Sequence, residues 1–349
     1  MEVKIGNRIL GPGNPTFIVA EMSGNHGGSL DRALKIVNAA KRTGADAIKL
    51  QTYTADTITL KSDKEDFKLL SDSPWASHST LWDLYNKAHT PWEWHEAIFL
   101  EARKIGIEIF SSPFDASAVD LLESLKVSVY KIASPEITNI PLLEKVAQTG
   151  KPVIISTGIG DLADIELALT TLKNAGATEI LVLKCTTAYP APAEESNLLT
   201  ISDMVTRFNV LSGLSDHSIG TAAAIAAVAL GGSLIEKHFT LDGEEETVDS
   251  FFSSAELEFT HMVKDIRFLD KALGKISYDI TNSSVPSLRG RSSLYIADSI
   301  KSGEKFTHQN VKAVRPSFGL HPKYFKEILG RRANKDLELG DRLSWEVIE

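Results

Sequence analysis

Residues 210–239, VLSGLSDHSIGTAAAIAAVALGGSLIEKHF, read as one complete β–α–β unit. Val210–Ser215 and Ser233–Phe239 are largely apolar rather than alternating, as strands buried on both faces should be. Thr221–Leu230 between them reads as a helix, and Gly-Gly follows it. The same unit recurs upstream. β-rich runs fall at Phe17–Glu21, Ala47–Gln51, Ile107–Ser112, Val129–Ser134, Pro152–Thr157 and Ile180–Cys185. Helical spacing separates them at Leu30–Thr43, Thr90–Ile105, Pro141–Thr149 and Ala163–Asn174. Thr90 reads as the N-cap of its helix, with Pro91 at the first helical position. Eight such runs within about 250 residues predict an α/β fold, a (β/α)8 TIM barrel. A doubly wound open sheet also alternates strand and helix. It is disfavoured by the eightfold count and by the lack of a glycine-rich dinucleotide fingerprint after the first strand.

The pattern changes near residue 275. The polar stretch 278–289, with Asn282, Ser283, Ser284 and Pro286, reads as a linker. Residues 290–349 are β-rich and read as a second, small domain, after a barrel domain over 1–277. About 38 residues separate Gln51 from Thr90, long for a βα connection. This segment and the following helix start hold Trp75, Trp82, Trp92 and Trp94. Two readings stand for it: a lid over the barrel mouth, or packing against the helix ring or a partner subunit.

Barrel enzymes carry their chemistry at the C-terminal ends of the strands. Read in order, those ends supply Glu21 with Asn25 and His26; Lys49 and Gln51; Ser111 and Ser112; and Lys131, Ser134 and Glu136. The later ends supply Ser156 and Thr157; Thr186, Thr187 and Tyr189; Ser215, Asp216 and His217; and Glu236, Lys237 and His238. Hydroxyls on five consecutive ends, with lysines on others, form an anion-binding ring. Side-chain parity sorts the lysines, because alternate residues face opposite ways. Lys49 shares a face with Gln51, and Glu236 with His238, so Lys237 points into the helix layer. Lys184 differs in parity from Cys185. Lys49 and Lys131 are therefore the ligand-binding candidates. His217 and His238 end adjacent strands, about 4.8 Å apart. They could share one divalent ion with open positions, suiting Mn²⁺ or Mg²⁺, or they could simply be a hydrogen-bonded pair. His78, His89, His95, His261, His308 and His321 have no such partner and read as surface residues.

Composition bounds the partners. The chain has 349 residues, of which 43% are hydrophobic and 24% charged, with a net charge of −9. That balance suits a folded protein and disfavours nucleic acid and anionic lipid. It also sits oddly with an anionic substrate. Acidic residues such as Asp63, Glu65, Asp66 and Glu244–Glu246 read as loop residues. No apolar run is long enough for a membrane span. The N-terminus has no signal-peptide core, and the single cysteine, Cys185, excludes an internal disulfide. Both point to the cytoplasm.

The motifs IVAEMSGNHGG (18–28), GADAIKLQTYT (44–54), FSSPFD (110–115), YKIAS (130–134), ISTGI (155–159), LKCTTAYPAP (183–192), GLSDHSIG (213–220) and EKHFTLD (236–242) closely resemble the sialic acid synthase family. Nearly the whole chain takes part, since VRPSFGLHPKY (314–324) resembles the family's antifreeze-like (SAF) C-terminal domain. TYTADTITL (52–60), LWDLYNKAHTPWEWH (81–95) and VDSFFS (248–253) resemble the branch that takes 2,4-diacetamido-2,4,6-trideoxy-L-altrose. The N-acetylneuraminate and legionaminate branches tend to carry Gly-Pro-Asp where this chain has Thr247, Val248 and Asp249.

The resemblance implies phosphoenolpyruvate binding by Lys49, Ser112, Lys131, Ser134, Ser156, Thr187 and Ser215. It implies metal ligation by His217 and His238, with no nucleotide or organic cofactor. Glu21, Asn25, Gln51, Tyr189 and Asp249 fall at or beside sugar-pocket positions. Arg315 matches an arginine inserted into the neighbouring subunit's site, which implies a domain-exchanged homodimer. The implied reaction is attack of phosphoenolpyruvate C3 on the open-chain aldehyde of an acetamido-deoxy sugar. Water then adds at the former C2, and phosphate leaves by C–O cleavage. Glu21, Glu136 and Glu236, alongside the two histidines, are the catalytic candidates, each glutamate either a proton-transfer group or an acceptor for sugar hydroxyls. Two other classes stand beside this one: an aldolase using a Lys131 Schiff base, and a non-catalytic carbohydrate- or ice-binding protein. The recipient glycan is left open among flagellin, capsule and lipopolysaccharide.

Overall fold

The computed structural model describes residues 2–71, 73–243 and 246–349. Contacts divide the chain into two compact units, Met1–Gly274 and Lys275–Glu349.

The first unit opens with an antiparallel hairpin, β1 (Val3–Ile5) and β2 (Arg8–Leu10). Eight parallel strands follow: β3 (Phe17–Glu21), β4 (Ala47–Thr52), β5 (Glu108–Pro113), β6 (Tyr130–Ile132), β7 (Val153–Ser156), β8 (Ile180–Cys185), β9 (Leu211–Asp216) and β10 (Leu234–Thr240). They pair in chain order, and β10 pairs with both β9 and β3, which closes the barrel. A two-residue strand, β11 (Ser254–Ala255), extends the edge of β10. Helices α1 (Leu30–Thr43), α2 (Ala55–Ile58), α3 (Leu81–Ala88), α4 (Trp92–Ile105), α5 (Ala116–Ser124), α6 (Ile140–Ala147), α7 (Leu162–Asn174), α8 (Thr200–Phe208), α9 (Ala222–Ala229) and α10 (Glu256–Ala272) complete the unit. All but α2 and α3 alternate with the barrel strands.

Two apolar layers result from strand parity. Phe17, Val19, Ala47, Phe110, Val129, Ile154, Leu181, Leu183, Leu211 and Leu234 fill the barrel interior, closed from below by Val3, Ile5 and Leu10 of the hairpin. The alternate residues, such as Ile18, Ala20, Ile48, Leu50, Ile132, Ile155, Val182 and Ile235, pack against the helices. Continuing the inward parity upward reaches Glu21, Lys49, Gln51, Ser112, Lys131, Ser156, Cys185, Ser215, Glu236 and His238. The apolar plug below and the polar set above are one continuous inner surface.

Helices α2, α3, α5, α8 and α10 and the hairpin are not among the elements expected from sequence. The N-cap expectation for α4 is corrected: the cap residue is Pro91, without a side-chain cap. The Thr90 hydroxyl instead lies 3.3 Å from His26 Nε2. His95 also departs from its expected surface place. It lies fully buried on the inner face of α4, its Nε2 2.8 Å from the Thr52 hydroxyl and its ring stacked on Phe99. Burial pushes its imidazole down to about 4, so it is neutral there. The acidic segment around Asp63 is exposed, with Glu65 and Asp66 in a single 3₁₀ turn. Glu246 is exposed, and Glu244 and Glu245 lie outside the described residues.

The second unit has its own small core of Leu294, Ile296, Ile300, Phe306, Val311, Ile328 and Leu343. Its ladder pairs β12 (Ser293–Ile296) antiparallel with β13 (Val311–Val314), followed by α11 (Phe325–Ile328). Residues 278–289 are almost entirely exposed, and Asn282–Gly290 forms a 3₁₀ segment. Arg315, just past β13, is exposed.

Candidate active site

A four-charge cage occupies the upper barrel interior. Lys49 Nζ lies 2.6 Å from Glu21 Oε2 and 3.5 Å from Glu236 Oε1. Lys131 Nζ lies 3.5 Å from the same Glu236 oxygen. All four side chains are at most 5% exposed. Ser112 and Ser215 complete the contacts: Lys49 Nζ donates to Ser112 Oγ at 3.2 Å, and Ser215 Oγ donates to Glu236 Oε1 at 3.2 Å. Burial pushes the Glu21 carboxyl up, against the pull of Lys49. Glu236 is held below the usual carboxylate range because its two lysines outweigh burial. Burial lowers Lys131, whereas Lys49 is held up by Glu21 and Glu236 in spite of its burial.

Beside the cage is a hydroxyl-lined recess. Gly158 N donates to Ser134 Oγ at 2.9 Å. A Cβ built on Gly158 would lie 1.9 Å from Thr187 Oγ1, 2.9 Å from Ser134 Oγ and 3.0 Å from Cys185 Sγ. Only glycine lets the backbone pass this close to the three side chains. Ser156 Oγ is buried without a hydrogen-bond partner, as is Glu236 Oε2. Orphaned polar atoms beside two lysines are costly unless a ligand completes them. The Cys185 thiol lies 3.8 Å from His217 Nδ1. Burial raises it, but His217 and its hydrogen-bond partners bring it down to about 7.

The two histidines stand at the mouth, ring centroids 5.4 Å apart and nearly perpendicular. His217 Nδ1 donates to Thr186 O at 2.9 Å, which directs Nε2 away from the protein contact. His238 Nδ1 is buried with no partner. Burial and the nearby cations hold His238 neutral. An oriented imidazole next to an orphaned neutral one fits a divalent ion that takes its remaining ligands from substrate and water. No cluster of three metal-ligating protein groups occurs among the described residues.

Aromatic rings wall the mouth. Tyr189 lies 4.4 Å from His217 and 4.9 Å from Phe252, and Phe252 lies 4.6 Å from His238. Trp75 of the long β4–α3 connection packs edge-on to Tyr189 at 5.5 Å, and its indole N–H donates to Val248 O at 2.8 Å. The connection therefore covers the mouth through Trp75, while Trp82 and Trp94 serve packing, on Asp56 and on His26.

Ser23 ties the sugar-side residues together. Its hydroxyl donates to Asp249 Oδ2 at 2.6 Å and accepts from Gln51 Nε2 at 3.1 Å. Its amide donates to Glu21 Oε1 at 3.0 Å. It does so from a left-handed backbone, φ 47°, which is strained for serine. Asp249 is buried, which raises its carboxyl, although it accepts from Ser23 and Gly24. Asn25 offers less than expected to a ligand: its amide donates to Phe239 O and Ser253 Oγ and accepts from Thr247 Oγ1. It fastens the 247–253 loop to the end of β3. Glu136 stands apart from the cage, hydrogen-bonded to none of it. Its Oε2 is buried and unpartnered, and burial pushes its carboxyl up to about 8. Ser23, Phe252 and Gly158 are not among the residues singled out from sequence, although Ser23 and Gly158 each stand within two residues of a singled-out strand end.

The comparisons with known proteins agree with this geometry. Residues 36–278 match the model of the NeuB family, and residues 291–349 match the SAF domain. The pseudaminic acid synthase of Campylobacter jejuni serotype O:23/36 is 46% identical over 94% of this chain and 95% of that protein. The pseudaminic acid synthase of Helicobacter pylori is 44% identical over 96% of this chain and 98% of that protein. The crystal structure of N-acetylneuraminic acid synthetase from Leptospira borgpetersenii, in complex with citrate, superposes with a TM-score of 0.73 at 30% identity. It covers 82% of this chain and 95% of that one. The family model spans most of the barrel unit, the SAF match spans most of the second unit, and the chain belongs to the NeuB family.

Proposed function

We propose that this chain is a pseudaminic acid synthase, condensing phosphoenolpyruvate and water with 2,4-diacetamido-2,4,6-trideoxy-L-altrose to give pseudaminic acid and phosphate. The observation that carries the reading is the ammonium pair of Lys49 and Lys131, buried beside the Gly158–Ser134–Thr187 recess, in a chain 44–46% identical to relatives of that name. A carboxylate and a phosphate on a three-carbon frame need two anion subsites close together, and two lysines sharing Glu236 on a hydroxyl-rich inner surface support that reading.

Within this reading the lysines hold the carboxylate and phosphate, and Ser112, Ser156 and Ser215 orient them. C3 attacks the sugar's aldehyde carbon, whose oxygen becomes a hydroxyl by taking a proton. Water adds at the former C2 and gives up a proton. Phosphate then leaves with the C–O bond as the keto group forms. Glu21 is the proton carrier of this reading: its carboxyl lies 2.6 Å from Lys49 Nζ inside the cage, and burial raises it. Trp75, Tyr189 and Phe252 exclude bulk water and give the 6-methyl and acetamido groups an apolar wall. His217 and His238 would hold a divalent metal, Mn²⁺ or Mg²⁺, which supplies Lewis acidity toward the aldehyde oxygen when bound.

The same proposal includes a homodimer with exchanged C-terminal domains, Arg315 reaching the neighbour's sugar pocket. Its exposure in its own unit is compatible with a partner elsewhere. It also includes a soluble cytoplasmic location, supported by the lack of any described helix able to cross a membrane. Its product would be destined for flagellin or another surface glycan. Phosphate release should require both phosphoenolpyruvate and the sugar. Product mass spectrometry with the altrose, N-acetylmannosamine and the legionaminate precursor in competition tests the sugar; preference for either competitor would replace it. Borohydride trapping should leave no adduct on Lys131, which separates the condensation from a Schiff-base aldolase.

A further inference from the structure

Behind the two histidines, on the outward face of the barrel wall, sits an ion pair the reaction does not use. Lys237 Nζ lies 2.8 Å from Asp216 Oδ2, with the side chains 1% and 3% exposed. The residues are directly opposite in the β9–β10 ladder. Each immediately precedes a histidine: Asp216 precedes His217, and Lys237 precedes His238. The remaining bonds converge on Ser218. Asp216 Oδ1 accepts from Ser218 N at 2.9 Å and from Ser218 Oγ at 2.6 Å. Lys237 Nζ donates to Ser218 O at 2.6 Å.

These bonds act on His217. The Ser218 N–H belongs to the peptide unit that leaves His217, and the carbonyl of that same unit accepts from Ala191 N at 2.9 Å. With both ends of the peptide held, and Nδ1 held by Thr186 O, neither the backbone nor the ring of His217 is free to turn. His238 is fixed by the ladder itself, where it faces Glu21. The pair therefore ties the loop end that carries His217 to the strand that carries His238.

We propose that Asp216 and Lys237 are positioning residues for the metal site, setting where His217 stands relative to His238. The inference rests on the two-histidine reading above. A buried ion pair is weak evidence for stability, since an apolar pair of similar volume often serves as well. A role in positioning is therefore separable from a role in folding.

The test is Mn²⁺ titration followed by electron paramagnetic resonance, with melting curves, on the full chain and on Asp216→Leu/Lys237→Met. The double variant removes both charges and every side-chain bond from these positions to Ser218. Outer-layer partners of metal ligands are typically worth about 10–100-fold in affinity, so Mn²⁺ affinity should fall at least about tenfold while melting stays close to native. Affinity within about twofold of native in the folded variant overturns the proposal. If that variant does not fold, Asp216→Asn/Lys237→Met decides, because it leaves no buried charge unpaired and its amide oxygen keeps the two bonds from Ser218 while the lysine's bond to Ser218 O is lost. A loss of about threefold or more supports positioning, and native affinity refutes it. Native protein that binds no Mn²⁺ overturns the two-histidine reading and this inference with it, whereas unchanged variants of a binding protein overturn the inference alone.

Discussion

Replacing Lys49 by methionine tests the cage most directly. The native cage is neutral, two ammoniums against two carboxylates. At an effective dielectric of about 20, a pair 2.6 Å apart attracts by about 6 kcal/mol before desolvation is set against it. What the variant exposes is the other side of that balance. Glu21 keeps its burial and loses its cation, and removing one member of a buried pair typically costs about 3–5 kcal/mol. For a domain of this size that corresponds to a melting point lower by about 6–20 °C. Lys49→Met/Glu21→Gln restores neutrality and should recover most of the loss, whereas phosphoenolpyruvate binding should stay lost in both. Urea unfolding and calorimetric titration read the two effects separately. A single variant within about 1 kcal/mol of native, or a double variant no more stable than the single, would refute the account of a strongly coupled buried pair.

Gly158→Ala should weaken phosphoenolpyruvate binding strongly and cost stability as well, because its methyl would collide with Thr187 Oγ1 and displace the hydroxyls there; unchanged binding by calorimetry would show that the recess is not the anion subsite. His217→Ala should remove turnover while far-ultraviolet circular dichroism and melting stay near native, and near-normal activity with added Mn²⁺ would sink its metal role. Glu136 gives a pH signature. Its folded carboxyl titrates near 8, above the ordinary 4.5, so its stabilising contribution is present below pH 4.5 and is lost as pH rises toward 8. Native protein should therefore lose more stability between pH 5 and pH 8 than Glu136→Gln, as read from urea midpoints; equal losses would place Glu136 in water.

The barrel and the inner charges were legible because both depend on parity, which sequence carries directly. Lys49, Lys131, Glu236 and His238 sit on inward positions of apolar strands, and Lys237 on an outward one. What stayed hidden was set by distant contacts. Trp75 reaches Val248 across 173 residues, and Ser23 reaches Asp249 across 226. No local pattern marks a serine as the hub of a pocket. Asn25 is the converse case, a residue singled out beside a site motif whose amide is occupied by its own protein. His95 shows the limit of isolated reasoning about titratable groups: it lies on α4 and its partner Thr52 on β4, and the pairing makes a polar residue at home in the core.

The net charge of −9 raised the question of how an acidic chain holds a doubly anionic substrate. The cage sharpens it, because its lysines are already matched by carboxylates. An anion entering next to Lys49 competes with Glu21 for the same ammonium. Glu21 is the group that can yield, since burial has already pushed its carboxyl up and loss of its cation pushes it further. Binding should then carry a proton onto Glu21, so that the cage becomes net positive only when the substrate is present. Calorimetric titration of phosphoenolpyruvate at pH 7 in buffers of different ionisation enthalpy measures this. The observed enthalpy should rise with the buffer's ionisation enthalpy, with a slope approaching one proton taken up. Glu21→Gln should flatten it. A flat line for the native protein, or the same slope in the variant, would mean that the positive field is there before the substrate arrives and that Glu21 stays ionised beside it.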